Sequence, residues 1–552
     1  MRRLAFLVSL LLVPMSVARA SGIYIAQNAT GANTGADCAD AHSAAWFNTN
    51  ATGGNTYHLC GTFTGTANAA PILSVPNSGT AGSPLIVLAE PGVVFTAPYW
   101  AGSFIDSGEF HGAIVVNNKN YVILDGGTNG TIQNTDNGTG KTYQVPSWGM
   151  SVKGANLIVR NWTIKDIFVP TNALGGSSTA DLILQYGSTN ATICNNQLSY
   201  AYTGLVTYGV GASTQVTDCQ SNTFGTGTNI FLNTFQNQVW NINNSPNAAS
   251  SPNIYANSIQ LAGTFGIRVQ GCAGADAHTD GIISYAQGAG VVVEPYIYNN
   301  EFVGDTGNGC PTAHVYCTYG FGANSGSACR VFNNIMVSTR TNGGADAVSF
   351  GGGSGYIVGP HKIYNNTFVN HQWTAWVSNA YASPGNDKYR NNIFQTVQNN
   401  AGSFFYGYNG IAPYNVLDIN NNVYYDPTTG GSAGWWVHSV TSNSLAQWQT
   451  NCSGNVGLGG CDSASIYGDP QLTASYTLQS GSPARSLGEN LTSSCTGQMA
   501  PLCYDKPPIV GRGGSLTGSV QRPTSGAWDA GAYQYSTQAG TAAPAGLTAV
   551  VN

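Results

Sequence analysis

The sequence predicts an all-β solenoid, a single-stranded parallel β-helix with a capped N-terminal end, and three observations predict it. First, a short pattern, apolar-x-Asn-Asn-x-apolar, recurs as "ICNNQL" (193–198), "IYNNEF" (297–302), "VFNNIM" (331–336), "IYNNTF" (363–368), "YRNNIF" (389–394) and "INNNVY" (419–424). Weaker copies are "CQSNTF" (219–224) and "IYANSI" (254–259). Asn300, Asn334, Asn366, Asn392 and Asn422 follow one another at steps of 34, 32, 26 and 30 residues, a period that signals a solenoid, a propeller or an array. Second, no long stretch carries apolar residues at the 3.6-residue spacing of a helix. Third, only 8% of residues are charged, against roughly a quarter in an ordinary domain.

The units are too short for four-stranded propeller blades, and hairpin signals between them are few. In a parallel β-helix each coil lays its strands on the coil below, so a residue type at a corner stacks on its own kind. Asparagine suits such corners. It tolerates left-handed backbone, and its amide donates and accepts along a ladder.

The elements follow in order. Arg2 and Arg3, the apolar run Leu4 to Val13 and "ARA" at 18–20 read as an export signal over residues 1–20. Residues 21–535 form the solenoid, with 21–70 as the N-terminal cap region ("IYIAQNATGANTGADC", then "TYHLCGTFTG") and 452–535 as the closing segment. Residues 536–552 read as a small-residue linker or tail. No later apolar run is long enough to span a bilayer. All 12 cysteines fall after the leader, and an even count in an exported chain favours disulfides. The close pairs Cys452/Cys461 and Cys495/Cys503 suit local loops. Cys38/Cys60 suits a staple at the N-terminal end, and Cys194/Cys219 a link between repeats. Cys272, Cys310, Cys317 and Cys329 cannot be paired from spacing alone.

Removing Arg2, Arg3 and Arg19 from the 18 basic residues leaves 15 against 24 acidic ones, a net charge of −9. With no basic run, nucleic acid is a poor partner, and a membrane is not one. A densely anionic polymer is disfavoured too, unless Ca²⁺ mediates the contact. No Cys/His cluster has zinc spacing, so no metal ligand set is assigned. A monomer is expected, outside the cell or in a periplasm.

The closing segment carries the most specific resemblance. "GDPQL…YTLQSGSPARSLGENL" (468–491), followed by "RPTSGAWDAGAYQY" (522–535), resembles the end of many secreted right-handed parallel β-helix proteins of the pectate-lyase-like superfamily. Their pattern runs Asp-Pro, then Leu-x-x-Gly-Ser-Pro-Ala, then Asp-x-Gly-Ala-Tyr. Arg485 departs from it where an apolar residue is usual. The resemblance implies a right-handed coil and a polysaccharide lyase or glycoside hydrolase. It equally admits a non-catalytic surface or glycan-binding protein, because fold alone does not assign chemistry.

Aligning three successive coils on their apolar alternation gives "DGIISY" (280–285), "HVYCTY" (314–319) and "DAVSFG" (346–351). This register puts Asp280, His314 and Asp346 in one outer column, with His278 beside it. Two carboxyls two coils apart, about 9–10 Å, suit an acid and a base that activate water. A histidine between them would instead suit proton abstraction in an elimination. The column continues through Thr203, Trp148 and His111 one way and Thr374 the other. Trp148, His371, Trp373 and Trp376 flank a groove for sugar rings. His111 pairs with Glu109 as a second polar pair, Arg268 neutralises developing negative charge, and Asp276 assists a cation. Plainer readings stand beside these: Asp280-Gly281 as turn chemistry, Asp346 as a cap among glycines, and His314 as a partner of a loop.

Overall fold

The computed structural model describes residues 22–535 except 106, 139, 168–178, 262–278, 305–310, 319, 321–323, 340–345, 352–358, 372, 378–386, 397–402, 408–416, 428–433, 438–439, 453–460, 508–515 and 517. The expected leader and tail, together with His278, Arg268, Asp276, Cys272 and Cys310, lie outside the described residues. So does the side chain of Trp376.

Each coil gives one strand to each of three long sheets. In one coil these are Trp148–Val152 (sheet 1), Ala155–Arg160 (sheet 2) and Thr163–Lys165 (sheet 3). The sheets hold 13, 14 and 13 strands, and successive coils pair in parallel. Parallel strands joined by crossovers wind right-handed, and the molecule is a right-handed parallel β-helix. Inward positions stack like on like. Ile193, Ile230, Ile254, Ile297, Val331 and Ile363 form one file through the core in sheet 2.

The asparagine corners join sheets 2 and 3, and the two members of each pair do different work. The first sits in left-handed backbone: φ is 55° at Asn195, 58° at Asn299, 55° at Asn333, 53° at Asn365 and 60° at Asn391. The second is buried and forms a ladder. The Asn300 backbone N–H donates to Asn334 Oδ1 at 3.0 Å and the Asn300 amide donates to the same oxygen at 3.1 Å and to Ile254 O at 2.9 Å. This arrangement repeats through Asn196, Asn233, Asn257, Asn300, Asn334, Asn366, Asn392 and Asn422. "IYANSI" belongs to the ladder through Asn257. "CQSNTF" does not; its rung is held by Asn233, in "IFLNTF" (230–235), with Leu232 in the left-handed position. Outside the corner, Phe231, Tyr255, Tyr298 and Phe332 stack at 4.9, 4.9 and 4.8 Å, the spacing of the coils.

Both ends are closed. Helix α1 (Ala44–Asn50) covers the first coils, its N-terminus capped by Ser43. At the far end Trp448 of helix α2 (Leu445–Asn451) is buried and donates to Asp462 Oδ2 at 2.7 Å. Asp462 also receives the last asparagine, Asn422, and the Tyr424 hydroxyl, so it terminates the ladder. The chain then runs back along the flank rather than merely capping. Gln498 reaches Ser251 O at 2.8 Å, and Lys506 Nζ lies 2.5 Å from Glu301 Oε1. Five disulfides join described cysteines. Four are the pairs the spacing suggested, Cys38–Cys60, Cys194–Cys219, Cys452–Cys461 and Cys495–Cys503. The fifth is Cys317–Cys329.

Candidate active site

Sheet 1 carries the candidate residues on five consecutive strands: β1 (Trp240–Asn244), β2 (Thr279–Ser284), β3 (Pro311–Cys317), β4 (Asp346–Phe350) and β5 (Trp373–Val377). Inward Ile242, Ile282, Val315, Val348 and Ala375 pair in register along them. Each strand bends near its start. The residue before this inward file is skipped in the pairing, and at the bend two successive side chains turn inward, as Ala347 and Val348 do in the core.

That bend corrects the expected column. Asp280 pairs with Ala313, and Ala313 with Asp346, so the two aspartates share a column with alanine between them. His314 is one residue further on. It sits at the bend, is fully buried and packs its ring against core Phe302 at 5.7 Å. Thr374 is displaced in the same way, and Trp373 takes the place in the column. His371 does not line a groove either. It is buried, and its Nε2 lies 3.2 Å from His314 Nδ1. Burial drives the His314 pKa down to about 3 and that of His371 well below the imidazole range, with His314 adding to the shift on His371. Both rings are neutral core groups.

Toward the N-terminus, Trp148, Ala180, Thr203 and Trp240 continue the column. Trp148 belongs to it but is not a groove wall. Its ring is fully buried among Ile105, Ile183 and Val206, and its Nε1 donates to Ser103 O at 3.1 Å. His111 stands apart, 3.0 Å from Glu109 and edge-on to Trp148 at 5.1 Å.

The five-coil column therefore reads Trp240, Asp280, Ala313, Asp346, Trp373. Asp280 Oδ1 accepts the Ala313 N–H at 3.1 Å. Its Oδ2 is buried and has no partner among the described residues. Burial raises the Asp280 carboxyl well above the ordinary range, against the Ala313 N–H. Burial also raises Asp346, opposed by the Ser349 hydroxyl and reinforced by the neighbouring charge of Asp280. Trp240 and Trp373 are half-buried. Trp373 starts an outward stack with Tyr406 at 5.1 Å and Trp436 at 4.5 Å beyond it. Trp240 and Ala313 escaped the sequence reading. Aligning the strands on their inward file, rather than on the leading polar residue, finds both. Among the described residues no group of three or more His, Cys, Asp or Glu side chains is arranged to hold a metal ion, and no described helix is long and apolar enough to cross a membrane.

By sequence, neither a protein-family model nor a curated protein matches the chain. By structure it is similar to the pectate lyase Pel9A, at 13% identity and a TM-score of 0.41 over 93% of this chain and 96% of that one. The GH136 lacto-N-biosidase from Eubacterium ramulus is similar at 14% identity and a TM-score of 0.45; the match covers 73% of this chain and 64% of that one. XylC, solved with xylose, is similar at 9% identity and 0.39 over 82% and 87%. These are likenesses of fold.

Proposed function

We propose that the chain is an exported carbohydrate-active enzyme that hydrolyses a neutral or weakly acidic glycan on the outer face of sheet 1. One observation carries the reading: two buried aspartates stand two coils apart in one column of sheet 1, with a half-buried tryptophan at each end. Two coil spacings are about 9–10 Å, near the upper end of the separation that leaves room for water between an acid and a base.

The roles follow from the contacts. Ala313 N–H occupies Asp280 Oδ1, which leaves Oδ2, without a partner among the described residues, as the oxygen assigned to carry the proton for the leaving group. With Asp280 neutral, the repulsion on Asp346 is gone. Burial still holds the Asp346 carboxyl above the ordinary range, but it is the less deeply buried of the two, 6% exposed against 0% for Asp280, so it is the carboxyl assigned to ionise and take the proton from the attacking water. Elimination loses its expected base, because His314 faces the core. The five disulfides fit export to an oxidising compartment.

The test is a polysaccharide panel read for reducing ends and for the ultraviolet absorbance of unsaturated products in parallel. The reading expects reducing ends without unsaturated products. It expects Asp280→Asn and Asp346→Asn each to lower kcat/KM by roughly 100-fold or more. Full activity in both variants refutes it. A protein that binds glycan and turns none over is a lectin-like surface protein instead.

A further inference from the structure

Away from sheet 1, the outer face of sheet 2 stacks three cations in one file. The strands Arg330–Phe332, Lys362–Tyr364 and Asp387–Arg390 lie on successive coils. Their register sets Arg330 opposite Lys362 and Lys362 opposite Lys388. The residues that follow them, Val331, Ile363 and Tyr389, fill the core, so by alternation the three cations point outward. Like charges directly opposite one another destabilise a sheet, and such a file needs counter-charge.

Acids meet its two ends. Glu294 pairs with Arg330. Asp418, the next residue in the column, lies 3.6 Å from Lys388 Nζ and also pairs with Arg390, whose Nε is 3.4 Å from Glu489. Lys362, in the middle, is paired with no carboxylate among the described residues. Segments 352–358, 378–386 and 408–416, which precede these strands in the chain, contain no Asp or Glu. Burial lowers the Lys362 ammonium pKa, and Arg330 and Lys388 add to the shift against Glu294. Lys362 and Lys388 are only half-buried, so part of each remains open to an outside group.

We infer that Lys362 centres a binding site for a single oxyanion, the carboxylate or sulfate group of a weakly acidic glycan, on the outer face of sheet 2. The inference rests on the glycan reading only for the carrier of that group. The cluster of Arg330, Lys362, Lys388 and Arg390 against Glu294, Asp418 and Glu489 leaves one cation over, which one monovalent anion balances. Arg330 and Lys388, each about 4.8 Å along the axis from Lys362, attract the same anion from both sides. An ammonium is a compact point charge, so carboxylate and sulfate both suit it. A dense polyanion does not, because its further charges would meet the flanking acids on a chain of net charge −6.

The experiment is calorimetric binding to the full chain carrying Asp280→Asn, so that no probe is consumed. The probes are glucuronoxylan, the same polymer with its carboxyls reduced to alcohols, and a lightly sulfated xylan. At low salt a charged polymer should bind roughly ten-fold more tightly than the reduced one, and high salt should erase the difference. Whichever charged arm binds names the anion. Lys362→Gln should erase the preference and Lys362→Arg should keep it. Without ligand, Lys362→Gln should melt no lower than its parent, because it relieves the like-charge contacts. Equal binding of charged and reduced polymers, a preference that survives Lys362→Gln or high salt, no binding of either charged polymer, or a lower melting point for Lys362→Gln overturns the inference. A Lys362-dependent charge preference in a wild-type chain without turnover keeps this inference and removes the hydrolase reading. Turnover without charge preference does the reverse.

Discussion

Asp280 keeps its proton because it is buried, and the same burial makes it a liability for stability. Burial holds its folded pKa well above the ordinary aspartate range. A raised carboxyl contributes stability below the unfolded pKa and loses it as pH rises toward the folded one. Asp280→Asn removes that loss. The variant should therefore melt higher than the wild type at pH 7.5 and close to it near pH 4, while its turnover collapses. Melting curves at the two pH values check this; a lower melting point at pH 7.5 contradicts it. The buried histidines act in the opposite sense. His314 titrates at about 3 in the folded chain and near 6.5 unfolded, so the unfolded state binds the extra proton between these values. This contribution is lost as pH falls from about 6.5 toward 3. The wild type should lose stability at both edges of a window around pH 4 to 6.5.

The asparagine corner decides the element scale. Asn334 accepts the backbone N–H of Asn300 and its amide, and donates to Ile297 O and Asn366 Oδ1. Asn334→Ala strands those groups inside the core, at about 1–3 kcal/mol for each left unmade. A loss of at least about 2 kcal/mol in denaturant unfolding is expected; a change within 0.5 kcal/mol, the usual range of surface substitutions, would show that the ladder is incidental. This element was legible in the sequence, since asparagine fills the ladder role in every coil from Asn196 to Asn422, while the left-handed position also takes Leu232 and Ala256. The sheet 1 register was legible only in part. Strict alternation predicts the face of each residue from its neighbour, and the shared bend interrupts it by turning two successive side chains inward. The shift of one residue moved His314 into the core and left Asp280 and Asp346 aligned, because both precede the bend. "CQSNTF" misled for a related reason: its Asn222 serves Arg160 at 2.9 Å in a covering loop rather than the ladder.

At the scale of the whole molecule, a solenoid contacts only its neighbouring repeats, and the returning segment changes that. It ties residue 506 to residue 301, and residue 498 to residue 251. The fully buried Lys506 is balanced by Glu301. Lys506→Met leaves that carboxylate unpaired and should cost about 3–5 kcal/mol. Adding Glu301→Gln to Lys506→Met should restore most of the loss. A double variant as unstable as the single one would show that packing, not the ion pair, holds the segment. The closing motif was visible in the sequence as a pattern, but its path was not, because nothing in "RPTSGAWDAGAYQY" names the coils it lies against.

The separation of the two carboxyls along the axis is the claim on which the chemistry depends. Proton NMR of the sugar anomer released in the first turnovers measures its consequence. An acid and a base two coils apart, with water between them, release the product with inverted configuration. Retained configuration would require a nucleophile within about 5–5.5 Å of the acid, and an unsaturated product would require elimination; either contradicts the account.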